Sequence, residues 1–252
     1  HDTVFPRAAP GLGKPGTPQW TYSWVKIGWQ KMIEVIFAIR TIERLKKIGY
    51  FTETMFTYLY TPADTIHDFL RGPVQAMLDI RRHPDEFKAA EEALLKPSID
   101  VVRTIPPLPP SEGVTFIFNP LHMNDMLSPR QYAEFFHPYH YRIIEPLVRE
   151  GYKGMVAFEG DFRQNVDFIL EFPKAGGFVF FESPADKWPD DFIKNVWEKL
   201  KYHTVVQGGV PATLLEAGTP EQVDEYVKKL ISMIKPDCAG FMVAPNTELP
   251  GD

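Results

Sequence analysis

Apolar residues recur along this chain with two periods. From Tyr22 to Ile48 the positions Ile27, Met32, Ile36, Ile39, Ile42, Leu45 and Ile48 follow helical spacing, and Gly49 ends the pattern, so a long amphipathic helix is expected. Thr52 to Tyr60 is rich in Thr, Phe and Tyr and reads as a strand. Pro62 and Asp64 open a helix over about 63–71, Gln75 to Ile80 continues helically, and Arg81-Arg82-His83-Pro84 breaks it. Asp85 to Val102 forms another helix, interrupted or ended near Pro97.

After the stiff connector at Pro106, Pro107, Pro109 and Pro110 the rhythm becomes regular. Strands are expected at 114–118, 154–158, 177–181, 204–207 and 240–243. Helices are expected from Ser128-Pro129 to about Glu150 and at 164–170, 190–200 and 220–234. Short apolar strands alternating with helices imply parallel pairing. The count reaches about six strands and the last one has no closing helix, so the pattern predicts a (β/α)8 barrel that is incomplete in this chain. Residues 1–110 hold an N-terminal arm, helices and early barrel elements, and 111–252 hold barrel strands and helices of the same domain. The proline- and glycine-rich stretch 1–19 reads as an extended arm.

Composition narrows the function classes. Net charge is -6 and the Lys and Arg residues are scattered, which excludes an obvious nucleic-acid surface. The basic group Arg40, Arg44, Lys46 and Lys47 reads as a solvated helix face. The one cysteine, Cys238, rules out an internal disulfide and a thiolate zinc cluster, and suggests a reducing, cytoplasmic setting. No apolar run approaches the ~20 residues of a membrane span, and no signal peptide is recognisable at the start. Trp20, Tyr22, Trp24 and Trp29 could cover a ligand or the surface of a homodimer, and packing on the barrel is the blander account.

Several segments together resemble the uroporphyrinogen decarboxylase superfamily, which includes the methylcorrinoid-dependent methyltransferases. Asp68-Phe69-Leu70-Arg71-Gly72 through Asp85 looks like its helix pair before the middle strands. Leu127-Ser128-Pro129 with Phe135-Phe136-His137-Pro138-Tyr139 resembles its "LSP…F…PY" helix. Val206-Gln207-Gly208-Gly209-Val210-Pro211, with Leu214-Leu215 and Gly218-Thr219-Pro220-Glu221, looks like its "QGN-x-P…LL…GTPEEV" segment, and Gly240 to Pro245 resembles its penultimate strand. The resemblance implies a TIM barrel with its site at the carboxyl ends of the strands. Thiol-using members carry a His-x-Cys pair after the middle strand. Here Phe158-Glu159-Gly160-Asp161 stands in that place, so a soft zinc-thiolate site is not expected.

Chemistry-bearing residues cluster at the predicted strand ends. Glu159 and Asp161 follow strand 154–158 around a glycine, and Asp161 could equally cap the next helix. His122, after strand 114–118, suits general acid–base work or metal ligation, and could equally be a loop histidine bonded to backbone. Coming from adjacent strands, His122, Glu159 and Asp161 are the expected catalytic set, and together could hold a hard or borderline divalent metal. Glu182, Asn124, Gln207 with Gly208 and Gly209, Asn246 and Thr247 are expected to bind substrate or cofactor. Glu182 or Asp186 could instead cap a helix, and the glycine pair could serve packing. His137, Tyr139 and His140 read as core or surface residues, and His203 as a stability residue.

The resemblance implies a corrinoid-linked methyltransferase, with methylcobalamin carried on a partner corrinoid protein and a small-molecule methyl acceptor. A porphyrinogen decarboxylase, or a non-catalytic barrel that binds a tetrapyrrole, are the alternatives.

Overall fold

The computed structural model describes residues 14, 16–49, 55–109, 114–174, 176–182, 196–235 and 240–246. The chain forms two compact units, His1–Thr54 and Met55–Asp252.

In the first unit the expected long helix is one element, α1 (Pro18–Lys47). Pro18 opens it, Thr17 caps it by accepting the N–H of Trp20, and Arg44, Lys46 and Lys47 sit where the helix dipole favours cations. Tyr22, Trp29, Met32, Ile36 and Phe37 are exposed.

The second unit runs β1 (Met55–Tyr58), α2 (Pro62–Thr65), a π-turn (Ile66–Arg71), α3 (Pro73–Arg82), α4 (Pro84–Val102) and β2 (Thr115–Leu121). It continues through α5 (Pro129–Gln131), a second π-turn (Tyr132–Phe136), α6 (His137–Arg149), β3 (Lys153–Glu159), a 3-10 helix (Arg163–Glu171) and β4 (Gly177–Glu182). It ends with α7 (Glu198–Leu200), β5 (Val205–Val210), α8 (Ala212–Ala217), α9 (Pro220–Ile234) and β6 (Phe241–Pro245). Most of the expected helix 190–200 lies outside the described residues, as do Cys238, Asp186 and Thr247.

The six strands form one parallel sheet in the order β1-β2-β3-β4-β5-β6. The order never reverses, so there is no switch point of the doubly wound kind. Leu59, Ile117, Leu121, Val156, Phe158, Val179 and Val206 pack into two apolar clusters with helix residues such as Ile80, Phe87, Leu95, Ile143, Leu147 and Leu230. Burying each such side chain is worth about 1.5–3 kcal/mol. Alternate strand positions such as Tyr58 and Phe118, in edge-to-face contact at 5.5 Å, point the other way. Helices on one face of a singly wound parallel sheet make a partial barrel wall. Six strands of the expected eight are present among the described residues, and closure into a full barrel is not seen.

Two departures from the expected elements matter. Pro97 does not end α4, because Leu95 and Val102 on either side of it are buried in the same cluster, and that packing outweighs the lost backbone bond. Strand β2 extends three residues beyond the expected 114–118, through Asn119-Pro120. The buried Asn119 amide donates to the Leu59 carbonyl at 2.8 Å and ties the end of β2 to β1. The extension carries the chain directly to His122.

Candidate functional site

In register, Leu121 lies opposite Phe158, so the next residues, His122 and Glu159, stand side by side at the carboxyl ends of β2 and β3. Their side chains meet, with His122 Nε2 3.0 Å from Glu159 Oε1. The other ring nitrogen, Nδ1, is 2.6 Å from Asp68 Oδ2. Asp68 in turn lies 2.5 Å from His67 Nδ1 through its second oxygen. The ring of Tyr60, just past β1, lies against His122 at 6.4 Å and against Phe69 at 5.0 Å.

Behind this line sits Asp64, fully buried. Its Oδ1 accepts the backbone N–H groups of His122 and Met123 at 3.1 and 3.0 Å, and its Oδ2 accepts the Thr61 hydroxyl at 2.8 Å. Thr61 also caps α2 by accepting the N–H of Asp64. The β1–α2 junction therefore fixes the backbone that presents His122.

The electrostatics follow from this crowding. Burial alone pushes the His122 pKa down, but the hydrogen bond to Asp68 and the charges of Glu159, Asp68 and Asp64 outweigh it, and the net shift is upward. The Glu159 carboxyl is also raised, first by burial and then by Asp68 and Asp125, against the opposing pull of His122. Burial pushes Asp64 up to about 6 in spite of its hydrogen bonds. Burial, Asp68 and Asp64 raise the Tyr60 hydroxyl. A histidine and a carboxylic acid in contact, both shifted toward neutral pH, can hold and release one proton between them.

The site thus lies at the carboxyl ends of parallel strands, where the fold type places its chemistry. Sequence comparison agrees: the family described as Uroporphyrinogen decarboxylase (URO-D) matches residues 42–251. The chain belongs to the uroporphyrinogen decarboxylase family. No curated protein matches it.

Within this family member the remaining expected site residues fall in different places. Asp161 is not brought to His122 and Glu159. The chain turns at Gly160 (φ 72), and the Asp161 carboxylate is held by Arg163, with Nε to Oδ1 at 2.8 Å. That pairing lowers the Asp161 pKa. Besides His122 and Asp68, the charge that acts on Glu159 is that of Asp125, which lies against Gly160. Among the described residues no three His, Cys, Asp or Glu side chains are placed to hold a metal ion, so the expected metal set of His122, Glu159 and Asp161 does not fit one.

Asn124 is buried and its side chain ties to the end of β3. Its side-chain amide donates to the Glu159 carbonyl at 2.5 Å, its backbone carbonyl accepts from the Asn165 amide at 3.1 Å, and its buried Oδ1 has no hydrogen-bond partner among the described residues. Gln207 was expected to close its strand, but β5 continues to Val210 and places Gln207 mid-strand between Phe180 and Met242. It stands two residues before the level of Glu182, which pairs with Glu159. A side chain at Gly209 (φ 94) would meet Leu230 and Phe241, and its carbonyl accepts the Tyr226 hydroxyl at 2.9 Å, so this glycine serves helix packing. Gly208 lies beside it, opposite Val243. Asn246 accepts the N–H of Ala212 at 2.7 Å and joins the end of β6 to α8. The side chain of Glu182 and all of Thr247 lie outside the described residues.

Sequence reasoning did not single out Asp64, Asp68, His67 or Tyr60 as site residues. One signal was available: Thr61-Pro62-Ala63-Asp64 opens a helix directly after a strand, at the end of the sheet where chemistry is built. His137 and His140 are core residues, as expected. His137 Nε2 lies 2.8 Å from Glu171, and burial drives His140 down to about 3, so it stays neutral.

Proposed function

We propose that this chain carries the site of a corrinoid-linked methyltransferase, moving a methyl group between methylcobalamin on a partner corrinoid protein and a small acceptor that is not an acid. The observation behind this reading is the charge balance at Glu159. Among the described residues the charged groups that shift its carboxyl are His122, Asp68 and Asp125, and no lysine or arginine is among them. A porphyrinogen brings several carboxylates of its own. Two like charges about 5 Å apart repel by about 3 kcal/mol at an effective dielectric near 20, so such a site disfavours a polyanion. A neutral alcohol, phenol or amine meets no such penalty.

The methyl–cobalt bond is the corrinoid's contribution when it is bound. Both ring nitrogens of His122 are engaged within the chain, by Asp68 and Glu159, so the role of this side chain would be in proton handling rather than in holding the corrinoid. The chain's residues manage the proton. An acceptor O–H or N–H that takes a methyl group must lose its proton, and the Glu159–His122 pair receives it. In the reverse direction the pair returns that proton to the departing oxygen or nitrogen.

The test is anaerobic spectroscopy of methylcobalamin, free and on a corrinoid protein from the same source, with the full chain and an alcohol, phenol, amine, thiol and tetrahydrofolate in turn. Loss of the methylcobalamin band with one acceptor, slowed at least a hundredfold in Glu159→Gln, is expected. No turnover, together with carbon dioxide release from a porphyrinogen, would replace this reading with decarboxylation. Tetrapyrrole binding without either reaction would make the barrel a carrier.

A further inference from the structure

The line of contacts at the site does not begin at His122. His67 and Asp68 lie on the π-turn after α2, a backbone form that recurs at functional sites. Asp68 faces two imidazoles at once, with Oδ1 2.5 Å from His67 Nδ1 and Oδ2 2.6 Å from His122 Nδ1. The side chains of His67 and Asp68 are 8% and 15% exposed, whereas those of His122 and Glu159 are 31% and 36% exposed. The four groups therefore run from the interior to the open end of the site.

We propose that Asp68 is the positioning residue of this site: backed by His67, it holds His122 with its proton on Nδ1 and leaves Nε2 to exchange a proton with Glu159 alone. This rests on the reading of His122 and Glu159 as the proton-handling pair.

The chemistry of the donors leads there. An ionised carboxylate only accepts hydrogen bonds, so both contacts require a proton on Nδ1 of the facing ring. The opposite tautomer of His122 would aim a lone pair at a carboxylate oxygen 2.6 Å away. His67 Nε2 is buried and has no partner. A neutral His67 with its proton on Nδ1 leaves only a lone pair there, whereas a charged ring would bury an unpartnered N–H at greater cost. His67 thus gives Asp68 a hydrogen bond through Nδ1, and the Asp68 carboxylate acts on His122. The other groups that act on His122 are Glu159 from β3 and Asp64 from α2, both acidic. Asp125 acts on Glu159, and Tyr60 lies against the ring. Asp68 is the one acid among them whose side chain meets the His122 Nδ1.

Two-dimensional NMR of the full chain with 15N-labelled histidine tests this without any substrate, using H122Q and H67Q to assign the signals. In the unmodified protein, neutral His122 is expected to show its proton on Nδ1. In Asp68→Asn the acid dissociation constant of His122 should rise at least tenfold and the tautomer signature should mix or invert, with the circular dichroism unchanged. Asp68→Glu should restore the Nδ1 proton. A neutral His122 protonated on Nε2 in the unmodified protein would overturn the proposal, as would an unaltered titration and tautomer in Asp68→Asn. Should Asp68→Asn not fold, the unmodified protein and Asp68→Glu still decide the matter. The readout is separate from methyl transfer: a Glu159→Gln variant of full activity would sink the functional reading and leave the tautomer intact.

Discussion

Asp64 holds the backbone of His122 from below: one buried carboxylate oxygen accepts the His122 and Met123 N–H groups at 3.1 and 3.0 Å. The arrangement stabilises the loop and strains the protonation balance, because burial raises this acid to about 6 from an ordinary value near 4. A carboxyl raised on folding contributes stability that is fully present below its unfolded pKa and is lost as pH rises through the folded one. The loss accrues between about pH 4 and 6 and reaches on the order of 3 kcal/mol. Asp64→Asn keeps an oxygen for the two N–H groups and removes the ionisation. Relative to the parent protein, its unfolding free energy in urea should improve by about 2–3 kcal/mol between pH 4 and pH 7. Parallel curves for the two proteins would show that Asp64 does not titrate in that window.

The sheet and most of the helices were legible because period and punctuation are local signals. Thr219-Pro220 with Gln222, and Ser128-Pro129 with Gln131, form capping boxes that announce α9 and α5 from sequence alone. His122 and Glu159 were legible as a pair because they follow consecutive strands. Asp68 was quoted for its likeness to the family and not for its chemistry. Only the π-turn and the path from β1 bring it to His122, and those contacts span 54 residues. The partner of Asp161 was not legible, since Arg163 two residues on takes its carboxylate. The full extent of β2 was not legible because Pro120 offers no N–H to a sheet and the partner of Asn119, the Leu59 carbonyl, lies 60 residues away.

Gly160 should be intolerant of any side chain. Its φ is 72, and an added Cβ would stand 2.8 Å from the Asp125 Cβ and nearer still to its carboxylate. Gly160→Ala is expected to cost about 2–4 kcal/mol, combining about 1–2 for the left-handed backbone with the displacement of Asp125. Asp125→Ala in the same chain should recover the second part and not the first. Denaturant unfolding of the single and double variants measures both, and equal losses would place the whole effect in the backbone.

Asp161 and Glu159 are two residues apart and should differ sharply in function. Glu159 meets His122, while Asp161 is half-exposed and paired with Arg163. In the proposed methyl transfer, Asp161→Asn should stay within about threefold of the parent, since exposed ion pairs contribute about 0–1 kcal/mol. Glu159→Gln should lose at least a hundredfold, as general acid–base groups commonly contribute 10²–10⁴. The initial rate of methylcobalamin loss compares them directly, and similar losses in both would return Asp161 to the site.

Glu91 offers a stability test away from the chemistry. It lies on α4 at 0% exposure, neither carboxylate oxygen has a partner, and burial raises it to about 9. At pH 7 the folded protein therefore keeps this group protonated, whereas the unfolded chain ionises it near pH 4.5. The raised value means that stability is fully present below about pH 4.5 and falls as pH rises toward 9. By pH 7 the deficit is on the order of 3 kcal/mol, before counting the unpaired carboxyl itself. Glu91→Met keeps similar volume and should unfold at higher urea than the parent at pH 7, with an advantage that shrinks steadily toward pH 4.5. A variant less stable than the parent at both pH values would mean that the Glu91 carboxyl has a polar role in the fold that outweighs its burial.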